Sequence, residues 1–253
     1  MKKLVSTENN ILPGAFIIFL LGIWEVVIRA FDIPKYILPG PTAILRALYE
    51  NREILLEHTK VTVLEAGVGF IFAIILAVLL AAIMNRSKML KDMIYPILVI
   101  SQTVPIIALA PLFMIWLGFG ILPKIVIVVL VCFFPITISV TEGLETVDQD
   151  MVNLMKVMKA SPRQIFFKVQ LPATLPAFFS GLKIAATYSI MGAVIGEWVG
   201  AKSGLGVYMT RAMTSFKTDA LFADILIIVV LSIFVFKVIE YTGKMIMPWN
   251  TKA

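Results

Sequence analysis

The chain has few residues suited to bond-making chemistry. It contains one histidine, His58, and one cysteine, Cys132. No second His or Cys exists to complete a metal site, and Cys132 has no partner for an internal disulfide. No Ser-His-Asp set or HExxH helix occurs. The segment Gly196-Glu197-Trp198-Val199-Gly200-Ala201-Lys202-Ser203 comes nearest to a phosphate-binding loop. Its lysine does not directly follow a glycine at the required distance, and no buried strand precedes it. The remaining polar residues suit recognition. Glu197 and Trp198 precede a permissive turn, Gly204-Leu205-Gly206, and offer an acid that can bond a polar solute and a flat ring for stacking a heterocycle. They equally fit a solvated helix end and an aromatic anchor at the membrane interface. Gln102 and Pro105, in Ser101-Gln102-Thr103-Val104-Pro105, place a polar cluster and a missing backbone donor inside an apolar run. Such a helix belongs away from lipid, as a pathway wall or as a kinked packing helix.

A different kind of chemistry, docking, is written into residues 142–172, the one long polar stretch between apolar runs. Met151, Leu154, Met155 and Met158 recur at i, i+3, i+4 and i+7 and share one face of a short helix, while Asn153, Lys156 and Lys159 point elsewhere. The next helix opens at Ser161-Pro162-Arg163-Gln164. The Ser161 hydroxyl can accept from the Gln164 backbone, Gln164 can reach back, and Pro162 needs no N–H there. A second apolar face, Ile165, Phe166 and Val169, runs on to Pro172. Two surface helices lying on lipid, or a coupling element that receives force from a soluble partner, both fit this pattern.

These segments are positioned by a membrane protein. Of 253 residues, 60% are hydrophobic and 15% charged, and the mean hydropathy is +0.96; an ordinary soluble domain is excluded. Six stretches supply the ~20 apolar residues that cross ~30 Å of hydrocarbon: residues 11–30, 61–84, 93–117, 122–141, 173–199 and 221–241. Lys2 and Lys3 precede the first as in a signal peptide, yet its apolar part is long and no small-residue cleavage site follows, so it reads as a membrane helix. Between the first two spans, Pro34, Pro39, Gly40 and Pro41 precede a helix starting near Thr42, amphipathic through Ile44, Leu45, Leu48, Ile54 and Leu55 and lying along the outer surface. His58 reads as solvated or interfacial. Glu25 with Arg29, and Lys237 with Glu240, read as boundary pairs. Lys183 reads as a snorkelling lysine, and Gly192, Gly196 and Gly200, four apart, allow close helix contact. No paired-carboxylate or proton-relay pattern emerges at mid-membrane.

Counting Lys and Arg places both termini in the cytoplasm, with Lys2, Lys3, Arg86, Lys88, Lys91, Lys156, Lys159, Arg163, Lys168, Lys183, Lys237, Lys244 and Lys252 inside. The net charge of +6 is then a topological signal, and nothing resembles a nucleic-acid footprint.

In these features the chain resembles the permease subunits of bacterial ABC importers, in the branch handling nitrate, sulfonates, taurine, thiamine-precursor pyrimidines and riboflavin. The resemblance runs from about Pro34 to Met245. It rests on Leu38-Pro39-Gly40-Pro41, the Ser101–Pro105 cluster, Ala110-Pro111-Leu112, Trp116-Leu117-Gly118-Phe119-Gly120, Phe133-Phe134-Pro135, and Gly196-Glu197-Trp198 with Gly204-Leu205-Gly206. Its strongest part is the cytoplasmic coupling signature: an acidic-small-small triplet, a later glycine and an apolar-x-Leu-Pro. The triplet falls on Asn153, Leu154 and Met155 and the glycine position on Lys159. The tail is Val169-Gln170-Leu171-Pro172, with Ala160-Ser161 and Gly181-Leu182-Lys183 kept. Asn153 keeps a hydrogen-bonding carbonyl without the charge. A left-handed backbone at Lys159 costs ~1–2 kcal/mol, so either the turn has another geometry or the groove it fits has changed.

The resemblance implies an all-α, polytopic fold with six transmembrane helices of the type I ABC importer kind. Residues 1–60 form a first helix plus an outer amphipathic segment, and 61–245 a five-helix core with a coupling hairpin at 142–172. It implies a multi-pass protein of the bacterial plasma membrane, without cofactor or catalytic residue, whose ATP hydrolysis belongs to a separate subunit. On this reading Met151, Asn153, Leu154, Met155, Met158, Lys159, Ser161 and Arg163 are expected to contact two cytosolic ATP-binding subunits, and Gln102, Pro105, Glu197 and Trp198 to line the pathway. Further partners are an extracytoplasmic solute-binding protein, a second copy of the chain and membrane lipid. Motif order favours a small heterocycle, a thiamine-precursor pyrimidine or riboflavin, over nitrate, sulfonate or taurine. The rival classes are an ion-coupled secondary transporter, which needs internal repeats and mid-membrane ionisable sites, and a membrane-embedded enzyme.

Overall fold

The computed structural model describes residues 8–252; Lys2 and Lys3 lie outside the described residues. Among the described residues every regular element is helical: α1 Glu8–Ala30, α2 Pro41–Glu50, α3 Arg52–Arg86, α4 Lys88–Ser101, α5 Ile106–Leu117, α6 Leu122–Glu145, α7 Gln149–Val157, α8 Pro162–Ile165, a π-helical turn Phe166–Gln170, α9 Leu171–Glu197, α10 Leu205–Thr214, α11 Thr218–Ile246 and a 3-10 turn Pro248–Lys252. Five runs are long and apolar enough to span a bilayer, Leu12–Ala30, Arg52–Arg86, Leu122–Glu145, Pro162–Glu197 and Thr218–Ile246, and the bent pair α4 and α5 makes a sixth.

Three spans depart from the sequence expectation. The second begins at Arg52, because the chain turns at Asn51, so Ile54 and Leu55 ride on the long helix α3 and the outer amphipathic helix ends at Glu50. The third is two helices, bent by 99° at the short break between them. Pro105 has no N–H to continue α4 and bars Val104 from helical angles. The chain leaves the helix after Ser101, whose hydroxyl donates back to the Ile97 carbonyl (2.6 Å), as Thr103 does to Ile100 (2.7 Å). The fifth span and the second helix of the polar segment are one rod, Pro162–Glu197. Pro172 removes a backbone donor at the junction, and the wider π-turn beside it carries the chain through without a break.

One compact unit holds the described residues up to His58 together with Tyr208–Ile227. Ile44 and Ala47 of α2 pack there with Trp24, Phe222 and Ala223, and Leu55 with Tyr208, Ala212 and Ala220. Gly40 precedes α2 without a capping side chain of its own. Glu25 supplies the cap, accepting from the Thr42 N–H (3.1 Å) and hydroxyl (2.8 Å) while paired with Arg29 (2.7 Å). Glu25 is thus a structural acceptor as well as half of a boundary pair. His58, expected in solvent, is 6% exposed and packs against the Tyr208 ring, with centroids 5.7 Å apart. Burial, helped by the Asp224 and Asp219 carboxylates, pushes the Tyr208 phenol above its ordinary pKa.

The other unit is Thr59–Val207 with the described residues from Ile228 onward. Its core runs along α3, α6 and α9. On α3, Ala66, Phe70, Ala73, Ala77 and Ala81 repeat at helical spacing, and four alanines let the neighbouring backbones approach. Glycines seal α6 against α9. A Cβ at Gly192 would lie 3.3 Å from the Val128 Cα, at Gly196 3.2 Å from the Lys124 Cα, and at Gly181 2.7 Å from the Ser139 Cβ. Cys132 is buried in this seam and donates its thiol proton to the Ala185 carbonyl (3.3 Å).

Candidate functional site

Local chemistry builds the polar segment between α6 and α9. Asp148 caps α7 by accepting from the Asp150 N–H (2.8 Å). Ser161 and Gln164 form the reciprocal capping box, with the Ser161 N–H donating to Gln164 Oε1 (2.7 Å) and the Gln164 N–H to Ser161 Oγ (3.3 Å); Pro162 stands in the first turn. Between them Lys159 adopts φ 56°. The turn therefore keeps the left-handed geometry that favours glycine. It is closed by Ala160 N–H to the Met155 carbonyl (3.0 Å) and Lys159 N–H to the Lys156 carbonyl (2.9 Å), the two bonds of a Schellman end.

The sides of α7 differ. Val152 is buried with Val147 and Ile165, and Met155, Ala160 and Val169 pack on that cluster. Met155 thus faces inward. Met151 (54% exposed), Leu154 (59%), Val157 (81%) and Met158 (69%) lie open on the opposite side. Val157, which the i, i+3, i+4, i+7 pattern passed over, joins this stripe because it lies three residues after Leu154. Asn153, Lys159, Ser161 and Arg163 are all exposed. Where α6 enters the segment, Lys91 of α4 pairs with Glu145, and the Tyr95 hydroxyl donates to Glu142 (3.2 Å).

At the opposite ends of the spans, Glu197 is neither solvated nor open to a ligand. It is 1% exposed. One carboxylate oxygen accepts from the Thr62 hydroxyl (2.6 Å) and the other from the Gly206 N–H (2.7 Å). Thr62 also accepts from the Leu205 N–H (2.9 Å), so these two side chains cap the first turn of α10. Gly204 takes φ 124°, and a side chain there would overlap the Glu197 carboxyl. Beside it, buried Lys124 donates to Glu65 Oε1 (2.6 Å), and the Glu65 and Glu197 carboxyl groups face each other. Trp198 parts from its neighbour and is 42% exposed. Sequence reading missed Glu65 and Lys124, although a charged residue inside each of two apolar spans was the available signal. Gln102 and Pro105 are exposed at the α4–α5 elbow, far in sequence from this cluster. Among the described residues no group of three or more His, Cys, Asp or Glu is arranged to hold a metal ion.

Residues 69–244 match the family described as "Binding-protein-dependent transport system inner membrane component". The chain is 37% identical to the formylaminopyrimidine transport permease protein ThiX of Halalkalibacterium halodurans, over 95% of this chain and 96% of that one. It is 40% identical to a probable ABC transporter permease protein of Haemophilus influenzae, over 88% and 91% respectively. Its fold resembles a chain of the inward-facing MetNI methionine ABC transporter, with a TM-score of 0.58 at 21% identity, covering 85% of this chain and 99% of that one. The protein is thus an ABC importer permease subunit, a multi-pass protein of the bacterial inner membrane, and it belongs to the family of binding-protein-dependent transport system inner membrane components.

Proposed function

We propose that two copies of this chain enclose the route of an importer for a small heterocycle, with a thiamine-precursor pyrimidine as the first candidate. Both termini lie in the cytoplasm, so the α7–α8 hairpin meets two cytosolic ATP-binding subunits and the loops around 31–60 and 201–220 receive an extracytoplasmic solute-binding protein. The observation that carries this reading is the open apolar stripe Met151, Leu154, Val157 and Met158, set on a capped helix joined to a spanning rod. An apolar face on a segment between two spans gains by burial against a protein groove, at about 1.5–3 kcal/mol per large side chain. Asn153 and Arg163 supply hydrogen bonds beside it, and Lys159 and Ser161 fix the turn. ATP-driven closure of the partner subunits moves the hairpins and switches access by rigid-body motion, without bond chemistry in this chain. Gln102 and Pro105 line the route at the α4–α5 elbow, where backbone outside a helix is tolerable in a membrane only beside water or protein. The named transport of the Halalkalibacterium relative supports the pyrimidine assignment.

The test is uptake by vesicles holding the permease, its ATP-binding subunit and its binding protein, offered a formylaminopyrimidine, riboflavin or taurine. ATP-dependent accumulation of the pyrimidine alone supports the reading. Accumulation of taurine instead selects the sulfonate-type alternative, and permease that neither retains an ATP-binding subunit nor transports with ATP overturns the coupling assignment.

A further inference from the structure

One groove of about 560 Å³ is lined from α3, α6, α8, the π-turn and α9. Its walls are apolar, with Leu144, Phe166, Leu175 and Phe178 prominent, and Asn85 and Arg86 supply polar groups where α3 ends. Arg86 is exposed and makes no ion pair among the described residues. We propose that this groove binds one anionic glycerophospholipid, its acyl chain along the apolar walls and its phosphate on the Arg86 guanidinium.

Charge and shape complementarity argue for that occupant. The guanidinium fork pairs two donors with phosphate oxygens, whereas a zwitterionic headgroup adds a positive charge beside the arginine. Most of the walls belong to the spanning helices α3, α6 and α9, where an acyl chain is the ambient apolar partner, and Arg86 stands in the last turn of α3, the helix end at which a long basic side chain reaches toward headgroups. The π-turn gives the site its consequence. Phe166 and Gln170, its first and last residues, both line the groove, so a bound lipid touches the junction between the short helix α8 and the spanning helix α9. This inference stands on the groove and its arginine alone and does not depend on the coupling role of α7.

The experiment is native mass spectrometry of the full chain released from nanodiscs containing equal amounts of phosphatidylglycerol and phosphatidylcholine. The parent retains phosphatidylglycerol in preference. Arg86→Gln lowers that preference about fivefold, the worth of one basic side chain at an anionic surface, while Arg86→Lys keeps most of it. Leu175→Trp, which fills the groove, lowers retention of both lipids, and a monodisperse size-exclusion profile shows that each variant is folded. Equal retention of the two lipids by the parent overturns the proposal, as does an unchanged preference in Arg86→Gln. It is also overturned if a cysteine at position 175, in a Cys132→Ser background, cross-links to a second protein subunit and no lipid is retained.

Discussion

The carboxyl group of Glu197 occupies the space that a side chain on Gly204 would need. The acid thereby reaches the Gly206 N–H and the Thr62 hydroxyl, and the loop after α9 folds back over its own helix end. Gly204→Ala meets both the positive φ and the carboxyl, and is expected to cost about 1–3 kcal/mol from backbone strain alone. A thermal shift of the purified permease measures it, and an unchanged melting temperature would show that the loop can open without cost.

Glu197→Gln and Glu197→Ala should behave differently. Glutamine can accept from Gly206 and donate to Thr62, and it leaves one acid, Glu65, facing one base, Lys124. Its melting temperature should stay near the parent's. Alanine removes the Glu197 acceptor from the Thr62 hydroxyl and the Gly206 N–H, at about 1–3 kcal/mol for each lost bond. Equal loss in both variants would mean that the charge, and not the hydrogen bonding, holds this end together.

Lys124 and Glu65 form a buried pair with side chains 8% and 2% exposed. Lys124→Met leaves two carboxyl groups without their base and should cost about 3–5 kcal/mol, much of it recovered by adding Glu65→Gln. A double-mutant cycle on detergent-extracted protein tests this. Additive losses would rule out direct coupling.

On α7 the two apolar faces separate partner binding from folding. Leu154→Asp should abolish co-purification of the ATP-binding subunit and leave the melting temperature unchanged, because Leu154 is 59% exposed. Met155→Asp should unfold the hairpin, since Met155 packs on Val147, Val152 and Ile165. Hydrogen exchange across 147–165 distinguishes them, and identical exchange in the two variants would contradict the assigned faces.

Cysteines at positions 102 and 106 probe the elbow. In a Cys132→Ser background both should react with a water-soluble thiol reagent, and trapping ATP on the assembled transporter should change the rate. Protection in every state would make the elbow a packing feature.

Elements governed by neighbours in sequence were legible. The spans follow from hydropathy, and the Ser161–Gln164 box from a four-residue pattern. The left-handed turn at Lys159 was legible as a position, but whether a lysine keeps that geometry depends on the two Schellman bonds, which no pattern of residue types reveals. The ionic cluster was not legible, because its bonds join residues 59 and 135 positions apart. A charge inside an apolar span is visible in sequence at Glu65 and Lys124, but which charge it meets is not. The outward turn of Val157 and the inward turn of Met155 required knowing that Val147 and Ile165 cover one side of α7.

The glycine seam between α6 and α9 bears on how motion travels. Gly181, Gly192 and Gly196 leave so little room that one helix cannot slide along the other without collision. The hairpin that joins them therefore works as a handle on a two-bladed tool. At 1.5 Å per residue, the 36-residue rod Pro162–Glu197 is about 54 Å long. A tilt of about 5° at the handle carries the far tip about 5 Å, more than a hydrogen bond survives. The bonds of Glu197 to Thr62 and Gly206 then either travel with the blade or break, which makes the far end of the tool a latch.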